Sequence, residues 1–187
     1  MKSRIRKTLS RLPQNGIDAA ILIGLIYLPL STIKLEWLML NHLPTGGDTA
    51  SHIFYASEFC RYFPQAGLTQ WLPEVFGGFP FLSYYFPLPF IVIFLFNQIL
   101  PFALAFKFAI FLPAILLPAF IYAVSIDFLK LNRYTGFFAG LATLALLLHE
   151  QHSIWGGNLL SILSGEFAYS YGMFFSFLRP KTKSITD

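Results

Sequence analysis

Charge is scarce in this chain. Only 12% of its 187 residues are Asp, Glu, Lys or Arg, while 56% are hydrophobic and the mean hydropathy is +0.61. A soluble domain carries about 25% charged residues. Half that share leaves too little polar surface to cover a water-exposed globule, so the composition points to a polytopic membrane protein. Cysteine is almost absent. The single Cys60 excludes an internal disulfide and a cysteine-based zinc site. The P-loop, the dinucleotide fingerprint, the GxSxG elbow and the HExxH helix are all missing. The paired glycines are not followed by Lys-Ser or Lys-Thr, and no repeat, low-complexity tract or soluble domain stands out.

What is abundant is the aromatic side chain. Phenylalanine occurs 22 times and aromatics make up 18%, which suits lipid-facing helices and interfacial belts. The net charge of +4 comes largely from the two ends. Lys2, Arg4, Arg6, Lys7 and Arg11 precede the first apolar run, and Arg179, Lys181 and Lys183 follow the last. Basic clusters beside apolar runs mark cytoplasmic flanks, and no basic face for nucleic acid is visible. The start looks like a secretory signal, but Pro29-Leu30-Ser31-Thr32 is a poor cleavage site, so it reads as an uncleaved anchor.

The chain reads as a single membrane domain. A basic cytoplasmic tail (1–16) leads into a first span (17–33) and an extracytoplasmic loop (34–83). A helical membrane bundle (84–178) and a second basic tail (179–187) follow, and the whole looks like a piece of a longer protein. Asp18, at the start of the first span, is expected at the interface. In the loop, the pattern predicts a helix over 49–63, with Asp48 as N-cap and Pro64 as its stop. Ile53, Ala56, Cys60 and Phe63 form one stripe, and Ser51, Tyr55, Glu58 and Tyr62 the opposite one. That describes an amphipathic helix lying on the membrane.

Four later runs are apolar enough to cross: 84–100, 102–126, 134–148 and 159–178. The positive-inside bias puts the amino terminus in the cytoplasm and the Asp48 loop outside. If all four cross, Lys130, Arg133 and the final basic tail fall outside. If 84–100 crosses only in part, they all fall inside. That run carries Pro87 and Pro89 near its start and Asn97, Gln98 and Pro101 at its end, as a re-entrant or interfacial segment would. The expected fold class is therefore an all-α, polytopic protein of the cell membrane, with about four full transmembrane helices plus one partial or fifth span. The loop 149–158 then lies on the same side as Asp48.

Several residues carry possible chemistry. Asp48 and His52 share a helix face, with Tyr55 a turn further on. An acid beside an imidazole can deprotonate a hydroxyl or hold a divalent cation, and Asp48 can equally serve only as a helix cap. Glu74 sits in an aromatic turn with Gly77 and Gly78, where Trp71, Phe76, Phe79 and Phe81 would anchor at the headgroup level. His149 and His152 are spaced for a metal pair, beside Glu150 and Asn158, but lack a clear third ligand. Glu166 stands in an apolar segment, where an ionisable group is either functional or a first-turn acid favoured by the helix dipole. In that second case Ser161 and Ser164 would satisfy the remaining donors. Arg61 is the loop's most plausible phosphate partner, and otherwise a solvated surface charge.

Three segments in order, GGDTASHIFYASEF, LPEVFGGFPFLSYYFPLPF and WGGNLLSILSGEFAYSYG, resemble a group of prokaryotic multi-span membrane proteins. These carry the domain label "6-pyruvoyl-tetrahydropterin synthase-related" and are similar in layout to C-type glycosyltransferases. The resemblance implies an all-helical C-type architecture whose first outer loop holds a catalytic acid, at Asp48. It implies a second acidic site residue at Glu166 and a polyprenyl-phosphate-linked sugar as donor. Pro73-Glu74 departs from the group's loop motif, which has an asparagine there. The C-type enzymes also have more spans, so the acceptor-side and lipid-phosphate parts would be missing here, and the piece alone would be inactive. Two functions follow as expectations. One is the amino-terminal part of a membrane glycosyltransferase-like enzyme, with Asp48, His52 and Glu166 catalytic and Arg61, Glu74, Glu150 and Asn158 binding substrate. The other is a non-enzymatic transport component or partner subunit.

Overall fold

The computed structural model describes residues 16–68, 70–73, 75–83 and 85–177. The terminal basic clusters and Glu74 lie outside the described residues. The fold is mostly helical.

Among the described residues, two helices are long and apolar enough to cross a membrane. The first, α1 (Gly16–Ile33), buries only Leu25 and Pro29. Large apolar side chains such as Ile23 and Tyr27 stay exposed on it. A helix apolar on all sides and little buried in protein fits a lipid environment. After α1 come two short-loop helices, α2 (Leu35–Met39) and α3 (Thr49–Ala66), then a two-stranded antiparallel hairpin, β1 (Gln70–Leu72) and β2 (Phe79–Phe81). Next are α4 (Leu88–Asn97) and α5 (Phe102–Ala123), the latter continued by a π turn (Val124–Phe128). The chain closes with α6 (Arg133–Leu147), α7 (Leu159–Leu163) and α8 (Phe167–Ser176).

The centre is α5, the second long apolar helix, and α1, α4, α6 and α8 all pack on it. Close approach depends on small residues, as is common between apolar helices. A Cβ on Gly140 of α6 would come within 2.8 Å of Leu25 Cδ1 on α1 and 3.2 Å of the Pro118 carbonyl on α5. One end of this bundle is pinned by charge. The Arg133 guanidinium donates to Asp18 at 2.7 Å, and the Tyr122 hydroxyl donates to the same carboxylate at 2.6 Å. Asp18 is therefore tied into the bundle. The start of α1, the end of α5 and the start of α6 thus share one end.

The remaining elements gather at the other end. Lys107, in the second turn of α5, is fully buried and donates to the carbonyls of Trp37 (2.8 Å) and Leu40. Its ammonium also sits 4.9 Å from the Trp37 ring, so α2 is fastened to α5 without any carboxylate. Phe59, Phe81, Phe90, Phe106 and Phe167 form the aromatic core beneath α3 and α4. Tyr55 stacks on Phe81 at 5.0 Å, so the stripe expected to be polar also packs inward. Phe81 is likewise core rather than anchor, while Phe76 at the hairpin tip is 93% exposed.

Three expected boundaries move. Pro64 lies inside the last turn of α3, and Gly67, at φ 72, provides the stop. The run 84–100 supplies only a 10-residue helix, α4. At 1.5 Å per residue that is about 15 Å, half a hydrocarbon core. The run 159–178 is not continuous: Gly165, at φ +110, separates α7 from α8.

Candidate functional site

Two glycine turns interlock to make the site. Gly46 and Gly47 precede α3 with φ values of 145 and 43. A Cβ on Gly47 would lie 2.3 Å from the Ser164 carbonyl oxygen. Across from it, a Cβ on Gly165 would lie 3.1 Å from the Cβ of Asp48. Only glycine permits this approach in these conformations. The contact is closed by two hydrogen bonds. The Asp48 N–H donates to the Ser164 carbonyl at 2.9 Å, and the buried Thr49 hydroxyl donates to the Leu163 carbonyl at 2.7 Å.

This docking changes what Asp48 does. It occupies the N-cap position of α3, but with φ −80 and ψ 2 and no side-chain capping bond. An N-cap that accepts from the first turn normally has β-region backbone. Asn132 shows the contrast at the start of α6, with ψ 160 and its side chain accepting from the Thr135 N–H at 2.9 Å. The expected side-chain cap at Asp48 is thus not made, because the tertiary contact sets the backbone. Its exposed carboxylate has no hydrogen bond or ion pair with any described residue.

Glu166 holds the matching place before α8. Its N–H donates to the Ser161 carbonyl at 2.9 Å, and its side chain makes no capping bond. Ser161 and Ser164 do not complete that helix start: their hydroxyls donate to the carbonyls of His152 and Leu160. Asp48 and Glu166 each stand at a helix amino end, where the dipole favours negative charge, and the two helix starts meet at the interlock.

His52 stands one turn into α3. Its ring meets Phe167 edge-on at 5.0 Å and lies 5.5 Å from Tyr85. Nδ1 is buried, with no hydrogen-bond partner among the described residues. Burial lowers the imidazole pKa below its ordinary value, and the Asp48 charge partly opposes this. Tyr85 is the residue that sequence reasoning missed. Partial burial pushes its phenol up to about 12, helped by the charges of Glu166 and Asp48. The phenol therefore stays protonated, in the field of both acids. Its motif neighbourhood was visible in sequence, but no local signal ties Tyr85 to residues so distant in the chain.

The other expected site residues lie elsewhere. Arg61 is near the far end of α3, 66% exposed at its side chain, beside Glu58 at 3.8 Å and over the Tyr62 ring at 5.0 Å. Asn158 is 2% exposed and spends its side chain internally. It caps α7 by accepting from the Ser161 N–H at 2.7 Å and donates to the His152 carbonyl at 2.9 Å. Glu150 lines a separate cavity. His149 and His152 stack with Trp155, at 6.2 and 3.7 Å, rather than facing a common ligand. Among the described residues, no three His, Cys, Asp or Glu side chains gather in a way that would hold a metal ion.

The arrangement can perform acid–base chemistry. It offers two carboxylates, an imidazole biased to the neutral form and a protonated phenol, open to solvent on the Asp48 side. Comparison with protein-family models, with curated proteins and with solved structures found no match.

Proposed function

We propose that the chain is the amino-terminal part of a membrane enzyme of the C-type glycosyltransferase kind, acting at the outer face on a polyprenyl-phosphate-linked sugar. The observation that carries this reading is the interlock that brings the helix starts at Asp48 and Glu166 together, with no hydrogen bond to either carboxylate among the described residues, near His52 and Tyr85. In this reading the acceptor hydroxyl gives its proton to the Asp48 carboxylate. The freed oxygen attacks the anomeric carbon, and the carbon–oxygen bond to the polyprenyl phosphate breaks. Tyr85 donates a hydrogen bond to the reacting oxygens, and Glu166 holds sugar hydroxyls. His52 walls the site, its ring held against Phe167 and Tyr85. The two carboxylates could share a divalent cation, but a third protein ligand is not at hand among the described residues, so no step depends on one.

The side assignment belongs to the same proposal. The interlock is at the end of the bundle opposite Asp18 and Arg133, and the basic amino-terminal segment leads into the Asp18 end. Positive-inside orientation would then place Asp18 in the cytoplasmic half and Asp48 outside. In this reading the chain is a multi-pass protein of the cell membrane.

The test is sugar transfer by the full-length protein carrying Asp48→Asn. Transfer falls by two orders of magnitude or more, on the order of a lost general base, while membrane insertion is unchanged. Transfer at the wild-type rate would remove the proposal. A non-enzymatic role requires instead that Asp48→Ser and Asp48→Asn be silent in every assay.

A further inference from the structure

A second site lies behind the interlock. A cavity of about 350 Å³ is walled by Ile33, Trp37, Phe111, Leu147 and Leu163, and Glu150 is the one charged group lining it. Leu163 is common to both places, since its carbonyl holds the Thr49 hydroxyl. Thr32, also in the lining, is already satisfied by the Leu28 carbonyl at 3.0 Å. Glu150 is exposed and has no hydrogen bond or ion pair with any described residue.

These features specify a ligand class. Sites for small molecules are mostly apolar, with a few polar groups that orient the ligand, and span roughly 300–1,000 Å³. This cavity is at the small end, which suits a single hydrocarbon chain rather than a bulky ring system. A lone carboxylate at the rim of an apolar cavity favours an ammonium group, by charge-assisted hydrogen bonding. The source follows from position. Thr32 and Ile33 close α1, a helix long and apolar enough to cross a membrane, so the mouth lies where such a helix ends.

We propose that this cavity holds the hydrocarbon chain of a bilayer lipid whose ammonium head pairs with Glu150. The chain lies against Ile33, Phe111 and Leu147. The inference is independent of the sugar-transfer reading.

Fluorescence of Trp37 tests it. The chain has 3 tryptophans, so Trp71→Phe with Trp155→Phe leaves Trp37 as the reporter. The full chain, in micelles of an uncharged maltoside detergent that carries no ammonium head, is titrated with a chain-brominated primary alkylamine. The brominated alcohol and carboxylic acid of the same length, and a short brominated amine, serve as comparators. The long amine quenches saturably at low mole fraction. Glu150→Gln, a change at an exposed position, weakens this about tenfold, the worth of one charge-assisted hydrogen bond. Leu160→Phe, which fills the cavity, removes the saturable phase. Quenching that rises linearly and equally for all three long probes overturns the proposal, as does saturation indifferent to Glu150→Gln. Equal binding of the short amine overturns it too.

Discussion

The Thr49 hydroxyl donates to the Leu163 carbonyl at 2.7 Å, joining positions 114 residues apart. That bond, with the Asp48 N–H on Ser164, fastens the loop after α1 to the break between α7 and α8. It explains why an acid at an N-cap position does not cap. The backbone angles of Asp48 serve the interlock, and the carboxylate is left over.

The interlock is steric before it is chemical, so enlarging its glycines is costly. Gly165→Ala places a side chain at φ +110 and within 3.1 Å of Asp48. Such a backbone position costs about 1–3 kcal/mol for a residue with a Cβ. A thermal unfolding scan in detergent should show a clear drop for Gly165→Ala. Gly172→Ala, with open space around it, should be near neutral.

Asp48→Ser should leave stability within about 0.5 kcal/mol of wild type, since no side-chain cap is lost. Asn132→Ala should cost about 1 kcal/mol, since there the cap is made. Urea or thermal midpoints of the two variants, compared side by side, check this. A larger loss at Asp48 than at Asn132 would restore the capping role.

His52 gives a pH dependence. Its folded pKa is lowered, so the native state binds its proton less readily than the unfolded chain. Its contribution is therefore complete above the ordinary imidazole value of about 6.5 and is lost as the pH falls through the lower, folded pKa. The unfolding midpoint should drop between pH 7.5 and the acid side in wild type, and His52→Phe should flatten that part of the curve. A midpoint that rises on acidification would contradict the burial argument.

The two ends of the bundle can be located directly. Reporter fusions at Asn132 and Ser153 should fall on opposite sides of the membrane, with Asn132 on the side of Gly16. This follows from Asp18 meeting Arg133 at one end and Gly46 meeting Leu163 at the other. Fusions that place both reporters on one side would contradict the arrangement of α1, α5 and α6.

Much of this was legible in the sequence, because it rests on local pattern. Hydropathy located α1, the long α5 and α6. Pro87, Pro89 and Asn97 marked 84–100 as too interrupted for a full crossing, and its helix is the 10-residue α4. The Gly-Gly-Asp turn drew attention to Asp48. What was not legible depends on distant partners. An apolar average over 159–178 hides the break, although Gly165 was its one local sign. The inward use of Asn158 depends on the carbonyl of His152, and Asp18 depends on Arg133. Tyr85 belongs to the site only because α3 and α8 bring His52 and Glu166 to it.

Asp48 and Glu166 are proposed to share one site, and a short-arm bismaleimide added to membranes containing Asp48→Cys with Glu166→Cys, in a Cys60→Ala background, reads whether they do. An efficient internal cross-link is expected for this pair and none for Arg61→Cys with Glu166→Cys. An Asp48–Glu166 pair that inserts normally in the membrane and yet stays unlinked would contradict it.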